Sequence, residues 1–272
     1  MSQSKAETLP ASDVELKRLQ QQVERVFTQP VTALVKLNKG LSNKNYLLYS
    51  GQEKRLLKCY SHEVPVAALG AQNKLAQQQV TSQVVAYDLT SRMAIFTYLP
   101  EVECFPILGV DLLEQLIKVH QLELDVYEQL DLPGYLNQLT EPLQKSVDMA
   151  WIRSQLASLP SDMAFCHNDL VLSNIIVGES STQLIDFEYA CHNDLFFDLA
   201  ALVCSFGCTV AQAHRVLQHY FMLRQQEPPV YSQTKLKLYC QIYLLLSIEW
   251  YEQRGEVDEA ATLRAVLLKW VG

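Results

Sequence analysis

Apolar residues change their spacing near residue 110, and this change constrains the fold of the 272-residue chain more than any other feature. Before it, short apolar segments that alternate with a period of two are separated by polar turns, a pattern typical of an antiparallel sheet. We predict strands at residues 31–37, 46–49 and 55–60, and two more between residues 83 and 100. Pro100 ends the last strand because proline has no backbone N–H to donate to a neighbour.

Helical spacing flanks this sheet and then dominates the chain. A first helix is predicted after a possible capping box of Ser12 and Glu15, and a second helix at residues 66–79. Later, only the segments 175–177 and 183–187 predict strands. The remaining segments are predicted to be helices, namely one that begins near Asp111 and those at residues 134–157, 196–204, 209–225, 233–253 and 257–270.

These patterns predict an α+β fold with two parts. The first, residues 1–100, is an N-terminal antiparallel sheet lobe with one helix between its strands, and the second, residues 101–272, is a helical lobe with a short hairpin. The connection near residues 98–103 is the predicted hinge between them.

Charge and composition exclude several classes of partner. The formal net charge of −8 is unfavourable for binding nucleic acid or an anionic membrane surface, and no apolar segment is long enough to span a bilayer. The N-terminal segment lacks the apolar core of a signal peptide, and the seven scattered cysteines form no C-x-x-C pair. We therefore expect a cytoplasmic protein with no nucleic-acid or membrane partner and no zinc site at Cys204 and Cys208. The sequence predicts no oligomeric state.

Polar residues are concentrated in the segment "FCHNDLVLSNIIV", which has the pattern H-x-D-x-x-x-x-N from His167 to Asn174. Asn174 directly precedes the first strand of the predicted hairpin, and the second strand, "QLIDF", ends near Asp186. In a hairpin the start of one strand lies beside the end of the next, so Asn174 and Asp186 should meet, with Asp169 close by. Carboxylate and amide oxygens of this kind suit Mg²⁺.

Phosphoryl transfer is the chemistry that this set of residues predicts. Asp169 can accept a hydroxyl proton, while Asn174 and Asp186 can hold the metal. A cation for the nucleotide phosphates is expected from Lys58, which the alternation of its strand places on the face opposite Leu57 and Cys59. The Gly/Ser/Asn turn at residues 38–45, with Ser42 and Asn43, can cover phosphates with its backbone N–H groups.

Simpler interpretations of these residues stay open. Asp169 and Asp186 could be structural caps or turn residues, Lys58 an exposed strand residue, and His167 a residue that only orients the loop by hydrogen bonds. At the level of the whole chain the alternatives are a catalytically silent nucleotide-binding relative and a metal-dependent phosphohydrolase. A phosphohydrolase with a two-metal site would need further His and Asp ligands, which the motif does not provide.

These motifs resemble those of a known superfamily. "CHNDLVLSN" and "LIDFEYA" resemble the catalytic loop and the metal-binding segment of the choline/ethanolamine kinase and aminoglycoside phosphotransferase superfamily, which has a protein-kinase-like fold. "GLSNKNYLL" resembles the nucleotide loop of bacterial choline kinases, while "YLP", "KVHQL" and "SIEWYEQRGE" resemble segments of bacterial thiamine kinases. The resemblance covers about residues 30–270 and implies a bilobal small-molecule kinase that uses ATP and Mg²⁺.

The resemblance also implies roles for individual residues. Asp169 is the expected catalytic base, Asn174 and Asp186 bind Mg²⁺, Lys58 contacts the ATP phosphates, and Asp198 is a structural brace of the catalytic loop. The residues expected to line the adenine pocket are Phe96, Tyr98 and Leu99. One departure is that the helix at residues 66–79 has no glutamate to pair with the lysine; the corresponding positions hold Ala71, Gln72 and Asn73.

A cationic alcohol of the choline, ethanolamine or thiamine type is the predicted substrate, because aromatic faces and carboxylates can hold such a cation. The predicted substrate-binding residues are Glu188, Tyr189, Tyr243, Glu249 and Trp250. An aromatic stripe on a helix can equally be core packing, and around Ser205 the chain lacks the glutamate that choline kinases carry. An aminoglycoside- or sugar-directed kinase is the alternative.

Overall fold

The chain divides by its internal packing into two compact units, residues 1–101 and 102–272, and each is described by itself. The computed structural model describes residues 13–38, 42–100, 104–125, 128–178 and 181–271. Ser12 of the predicted capping box, residues 39–41 of the predicted phosphate turn and residues 101–103 of the predicted hinge lie outside the described residues.

The first unit contains the predicted antiparallel sheet. Its strands lie in the order β1-β2-β3-β5-β4, so that β5 is inserted between β3 and β4. The elements are α1 (Asp13–Phe27), β1 (Ala33–Leu37), β2 (Lys44–Ser50), β3 (Glu53–Cys59), α2 (Val66–Ala76), β4 (Val84–Asp88) and β5 (Met93–Thr97). The predicted strands are confirmed within a few residues, and the predicted helix at 66–79 ends earlier, at Ala76.

The two faces of this sheet bury different apolar clusters. Leu57 of β3 packs with residues of α1 such as Val23, whereas Leu56 packs with a cluster that includes Leu69 of α2. Because side chains alternate along a strand, Lys58 lies on the face of Leu56.

The second unit is mainly helical, as predicted. Its helices are α3 (Val110–His120), α4 (Leu132–Gln138), α5 (Glu141–Gln144), α6 (Met149–Ser158), α7 (Leu195–Ser205), α8 (Val210–Leu223), α9 (Ser232–Gln253) and α10 (Val257–Val271). Its strands are β6 (Met163–Cys166), β7 (Ile175–Val177), β8 (Thr182–Leu184) and β9 (Cys191–Asp194), which form the pairs β6–β9 and β7–β8. None of the helices formed by the described residues has the length and apolarity to cross a bilayer.

Three predictions for this unit are wrong. The predicted helix at residues 134–157 is three short helices, because Asp131 and Asp148 begin new helices as N-caps and Pro142 lies in the first turn of α5. The predicted strand at 183–187 ends at Leu184, since Asp186 adopts a left-handed backbone conformation. The β6–β9 pair was not predicted, because four-residue strands show little alternation and "CHND" has low β-propensity.

Lys235 connects α9 to the β6–β9 pair inside this unit. The side chain is buried, and its Nζ contacts the carboxylates of both Asp162 and Asp194. It also donates to the carbonyl oxygen of Pro160 at 2.6 Å, and its Nζ lies 4.9 Å from the ring centroid of Phe196. This cation therefore compensates two carboxylates at the end of the sheet that precedes α7.

We expect Lys235→Ala to lower the free energy of unfolding by about 3 kcal/mol, because it leaves Asp162 and the buried Asp194 without their cation. Urea titration followed by circular dichroism measures this loss. Lys269→Ala, at an exposed position on α10, is the matched control and should change stability by less than about 0.5 kcal/mol. Equal stabilities of the two variants would show that Lys235 does not anchor α9.

Candidate active site

The open end of the β7–β8 hairpin brings the chain at Asn174 and the chain at Asp186 next to each other. Ile175 pairs with Leu184 in the hairpin, and the N–H of Ile185 donates to the carbonyl oxygen of Asn174 at 2.9 Å. Asn174 ends a 3₁₀ turn at Leu172–Asn174, and Asp186 precedes another at Phe187–Tyr189. Hairpin geometry thus produces the adjacency that the sequence predicts.

Asn174 also contacts Asp169 directly. Its Nδ2 donates to Asp169 Oδ2 and to the Asp169 carbonyl oxygen, both at 2.9 Å. Since both partners are acceptors, the amide must present its NH₂ group to them, and its Oδ1 points away from Asp169. Asn174 Oδ1 and the carboxylate of the adjacent Asp186 are hard oxygen donors, which is the type of ligand that Mg²⁺ prefers. The residues present therefore fit a magnesium site.

Asp186 has a backbone conformation that few residue types adopt. Its φ and ψ are 68° and 59°, in the left-handed region, where Asp is tolerated better than most residues. This conformation ends β8 and turns the chain into Phe187–Tyr189. The side chain is only partly exposed.

His167 links the loop that contains Asp169 to the hairpin. The ring is buried; Nε2 donates to the carbonyl oxygen of Ile185 at 2.8 Å, and Nδ1 accepts the N–H of Asp169 at 3.3 Å. Burial lowers the pKa of His167, and the nearby Asp198 charge opposes this effect. A neutral ring with its proton on Nε2 satisfies both hydrogen bonds.

Asp198 accepts hydrogen bonds from three groups in the interior of the unit. The backbone N–H groups of His167 and Asn168 donate at 2.7 and 2.8 Å, and Nε2 of His120 donates at 3.2 Å. His120 Nδ1 lies 2.6 Å from the hydroxyl of Tyr220. Sequence reasoning did not predict a role for His120 or Tyr220. The one signal in the sequence was the histidine of "KVHQL", which the structure shows to be buried.

The ligand atoms of His120, Cys166 and Asp198 are close enough together to suggest a metal site. Burial raises the pKa of the Cys166 thiol well above its usual range, and both Asp198 oxygens accept backbone hydrogen bonds. A protonated thiol and an occupied carboxylate are poor metal ligands. We therefore regard this group as a structural brace.

Tyr243 and Tyr251 of α9 are influenced by the charge of Asp169. Burial raises the pKa of both phenols, and the Asp169 carboxylate raises each further. Ser205, whose Oγ donates to the carbonyl oxygen of Leu170 at 3.2 Å, partly opposes this rise in the pKa of Tyr243. Tyr243 is one of the predicted substrate residues.

The other predicted substrate residues have different surroundings. Glu249 accepts hydrogen bonds from the N–H and hydroxyl of Thr140, both at 3.1 Å, and the guanidinium of Arg254 lies 3.7 Å from the ring centroid of Trp250. Glu188 is partly exposed and Tyr189 is exposed; both belong to the turn after Asp186. The structure thus joins Glu249 to the start of α5 and covers a face of Trp250 with a cation.

Residues predicted to bind nucleotide lie in the first unit. Lys58 is buried, with its Nζ 5.3 Å from the ring centroid of Tyr60. Asn43 Oδ1 accepts the N–H of Ser61 at 3.0 Å, and the carbonyl oxygen of Ser42 accepts the Ser61 hydroxyl. Phe96, by contrast, is part of the apolar cluster beside α2.

Tyr98 and Leu99 follow β5. Tyr98 is exposed, with Lys54 Nζ 5.7 Å from its ring centroid, and Leu99 is partly exposed.

In α2, the positions without a glutamate have other partners. Gln72 donates to the carbonyl oxygen of Ser82 at 3.0 Å, and Asn73 accepts the N–H of Val84 at 2.9 Å.

Comparison with known proteins shows the family. Residues 33–233 match the model of the phosphotransferase enzyme family (APH), and the chain belongs to that family. Ethanolamine kinase 1 of Mus musculus is 37% identical over 67 residues, which are 24% of this chain and 18% of the mouse enzyme. The chain therefore matches less than a fifth of the length of this curated relative.

Solved structures show the fold. Choline kinase LicA from Streptococcus pneumoniae superposes with a TM-score of 0.75 and 19% identity, over 96% of this chain and 99% of that chain. A structure of LicA in complex with AMP superposes with a TM-score of 0.73 and 18% identity, over 96% and 100% of the two chains. The predicted superfamily and the α+β kinase-like fold class are thus confirmed.

We expect Asp198→Asn to destabilise the catalytic loop by about 2 kcal/mol, because an amide offers a weaker acceptor and brings donors of its own next to the N–H groups of His167 and Asn168. Hydrogen exchange at these two amides should accelerate. Glu227→Gln, at an exposed loop position, is the control for charge removal. Unchanged exchange at residues 167 and 168 would contradict the bracing role.

Proposed function

We propose that this member of the phosphotransferase enzyme family transfers the γ-phosphate of ATP to the hydroxyl group of a small cationic alcohol of the choline, ethanolamine or thiamine type. The observation that carries the proposal is the hydrogen bond of Asn174 to Asp169 at one end of a hairpin, where Asn174 also pairs with Ile185, the residue before Asp186. Phosphoryl transfer needs this combination of a carboxylate for the hydroxyl and oxygen ligands for a metal.

In this proposal Asp169 accepts the proton of the substrate hydroxyl as the phosphoryl group is transferred. Its Oδ2 is oriented by Asn174 Nδ2 at 2.9 Å, while the N–H of Asp169 is held by His167. Asn174 Oδ1 and the Asp186 carboxylate would hold Mg²⁺, which when bound neutralises charge on the phosphate oxygens. His167 and Asp198 keep the loop in this geometry.

The proposed nucleotide contacts come from the first unit. Lys58 supplies a cation for the ATP phosphates, and the turn with Ser42 and Asn43 supplies backbone N–H groups. Phe96, Tyr98 and Leu99 would line the adenine site. The structure of LicA with AMP supports nucleotide binding by this fold.

A cationic acceptor is supported by the surroundings of Asp169. The aromatic side chains of Tyr243 and Tyr251 are subject to its negative charge, and aromatic rings beside a carboxylate favour a cation. The similarity to an ethanolamine kinase supports the same substrate class. Glu188, Tyr189, Glu249 and Trp250 stay predicted substrate residues, although Arg254 already covers one face of Trp250.

A coupled assay of ADP release tests the function. The chain is supplied with ATP and Mg²⁺ and is screened against choline, ethanolamine, thiamine, an aminoglycoside and a small sugar. We expect Mg²⁺-dependent ADP release with one of the three cationic alcohols. Phosphate release without nucleotide would favour a phosphohydrolase, and no turnover with any acceptor would favour a silent nucleotide-binding relative.

We expect Asp169→Ala to lower kcat by about 10²- to 10⁴-fold, the usual contribution of a general base, while the fold is retained. Steady-state kinetics measure kcat, and thermal melting checks the fold. Ser173→Ala, at an exposed position of the same loop, should keep turnover within about twofold. A kcat of the Asp169 variant near that of the unmodified enzyme would exclude this carboxylate as the base.

We expect Asp186→Asn to weaken Mg²⁺-dependent nucleotide binding while it preserves the left-handed turn, because Asn tolerates that conformation but contributes no charge to the metal. Titration calorimetry with and without Mg²⁺ measures the difference. Asp88→Asn in the first unit serves as the charge-matched control. Unchanged Mg²⁺ dependence in the Asp186 variant would rule out its metal role.

A further inference from the structure

Asn168, the residue before Asp169, is hydrogen-bonded at both ends of its side chain. Its Nδ2 donates to the carbonyl oxygen of Tyr189 at 3.0 Å, and its Oδ1 accepts a hydrogen bond from Nδ2 of the buried Asn193 at 2.9 Å. Its backbone N–H donates to Asp198 Oδ1 at 2.8 Å. The side chain therefore connects the catalytic loop to the segment that follows β8.

His167 and Asn168 together hold the chain on both sides of Asp186. His167 Nε2 donates to the carbonyl oxygen of Ile185, immediately before Asp186, at 2.8 Å. Asn168 Nδ2 donates to the carbonyl oxygen of Tyr189, which ends the turn after it. Two consecutive loop residues thus attach the left-handed turn at Asp186 from each side.

We infer that Asn168 is a positioning residue that fixes Asp186 relative to Asp169. The inference rests on the proposed function, in which one residue binds metal and the other contacts the substrate hydroxyl. Loss of a residue that orients a metal ligand typically lowers metal affinity or activity by about 10- to 100-fold. Loss of the Asn168 side chain would release the turn after Asp186 from its attachment through Tyr189.

Asparagine suits this position for two separate reasons. Its φ of 63° lies in the left-handed region, which Gly, Asn and Asp adopt most readily. Glycine would keep this backbone but would make no side-chain hydrogen bond. Aspartate would place a carboxylate oxygen against the carbonyl oxygen of Tyr189, where the structure requires a donor.

The test compares the full-length chain with its Asn168→Gly and Asn168→Asp variants. Asn137→Ala, at an exposed position in α4, is the control. Hydrogen exchange of the metal-free proteins reports on the turn through the N–H of Ala190, which donates to the carbonyl oxygen of Phe187 at 3.0 Å. Calorimetry measures the affinity for Mg²⁺ together with a non-hydrolysable ATP analogue, so that neither readout requires turnover.

We expect both Asn168 variants to exchange faster at Ala190, by about fivefold for one lost hydrogen bond, and to bind Mg²⁺ about 10-fold more weakly. Where turnover is measurable, the KM of the acceptor should stay within about twofold of the unmodified enzyme, because Asn168 is not one of the proposed substrate residues. Unchanged exchange at Ala190 would overturn the inference. Faster exchange with unchanged Mg²⁺ affinity would also overturn it, since Asn168 would then be structural alone.

Failure of the proposed function would be seen separately, as an absence of ADP release in the unmodified enzyme.

Discussion

A buried carboxylate holds the loop that contains Asp169, and the geometry of the candidate site depends on it. Asp198 has no exposed surface and accepts the N–H groups of His167 and Asn168, while His120 donates to one of the same oxygens. Hydrogen bonds to a charged group contribute about 1.5–3 kcal/mol each. Because loop residues lack a neighbouring strand to pair with, Asp198 supplies the acceptors that their backbone requires. Asp169 follows directly on this anchored backbone.

Much of the site could be predicted because its geometry is local. The adjacency of Asn174 and Asp186 follows from hairpin pairing over a few residues, and the N–H of Ile185 bonded to the carbonyl oxygen of Asn174 confirms it. The face on which Lys58 lies follows from period-two alternation along β3, although alternation does not predict that its side chain is buried.

The rest could not be predicted, because it depends on partners distant in the chain. His120 and Asp198 are 78 positions apart, and Thr140 and Glu249 are 109 apart, so that no spacing rule connects them. A carboxylate on an apolar helix predicts that a partner exists but does not identify it. For Glu249 the partner is a backbone turn at the start of α5, which sequence reasoning could not distinguish from a substrate cation. The left-handed conformation of Asp186 was likewise not predicted, because the pattern "QLIDF" favours a strand that continues through this residue.

The proposed sharing of one Mg²⁺ by Asn174 and Asp186 is tested most directly with a double-mutant cycle. Calorimetry gives the Mg²⁺ affinity, in the presence of a non-hydrolysable ATP analogue, for the unmodified chain, Asn174→Ala, Asp186→Asn and the double variant. If the two residues are ligands of one ion, their losses of Mg²⁺ affinity should be strongly non-additive. The Mg²⁺ affinity of the double variant should then lie within about twofold of that of the single variant that binds Mg²⁺ more weakly. Losses that add within about 0.5 kcal/mol would mean that the two residues act on Mg²⁺ independently, and would contradict a common metal site beside Asp169.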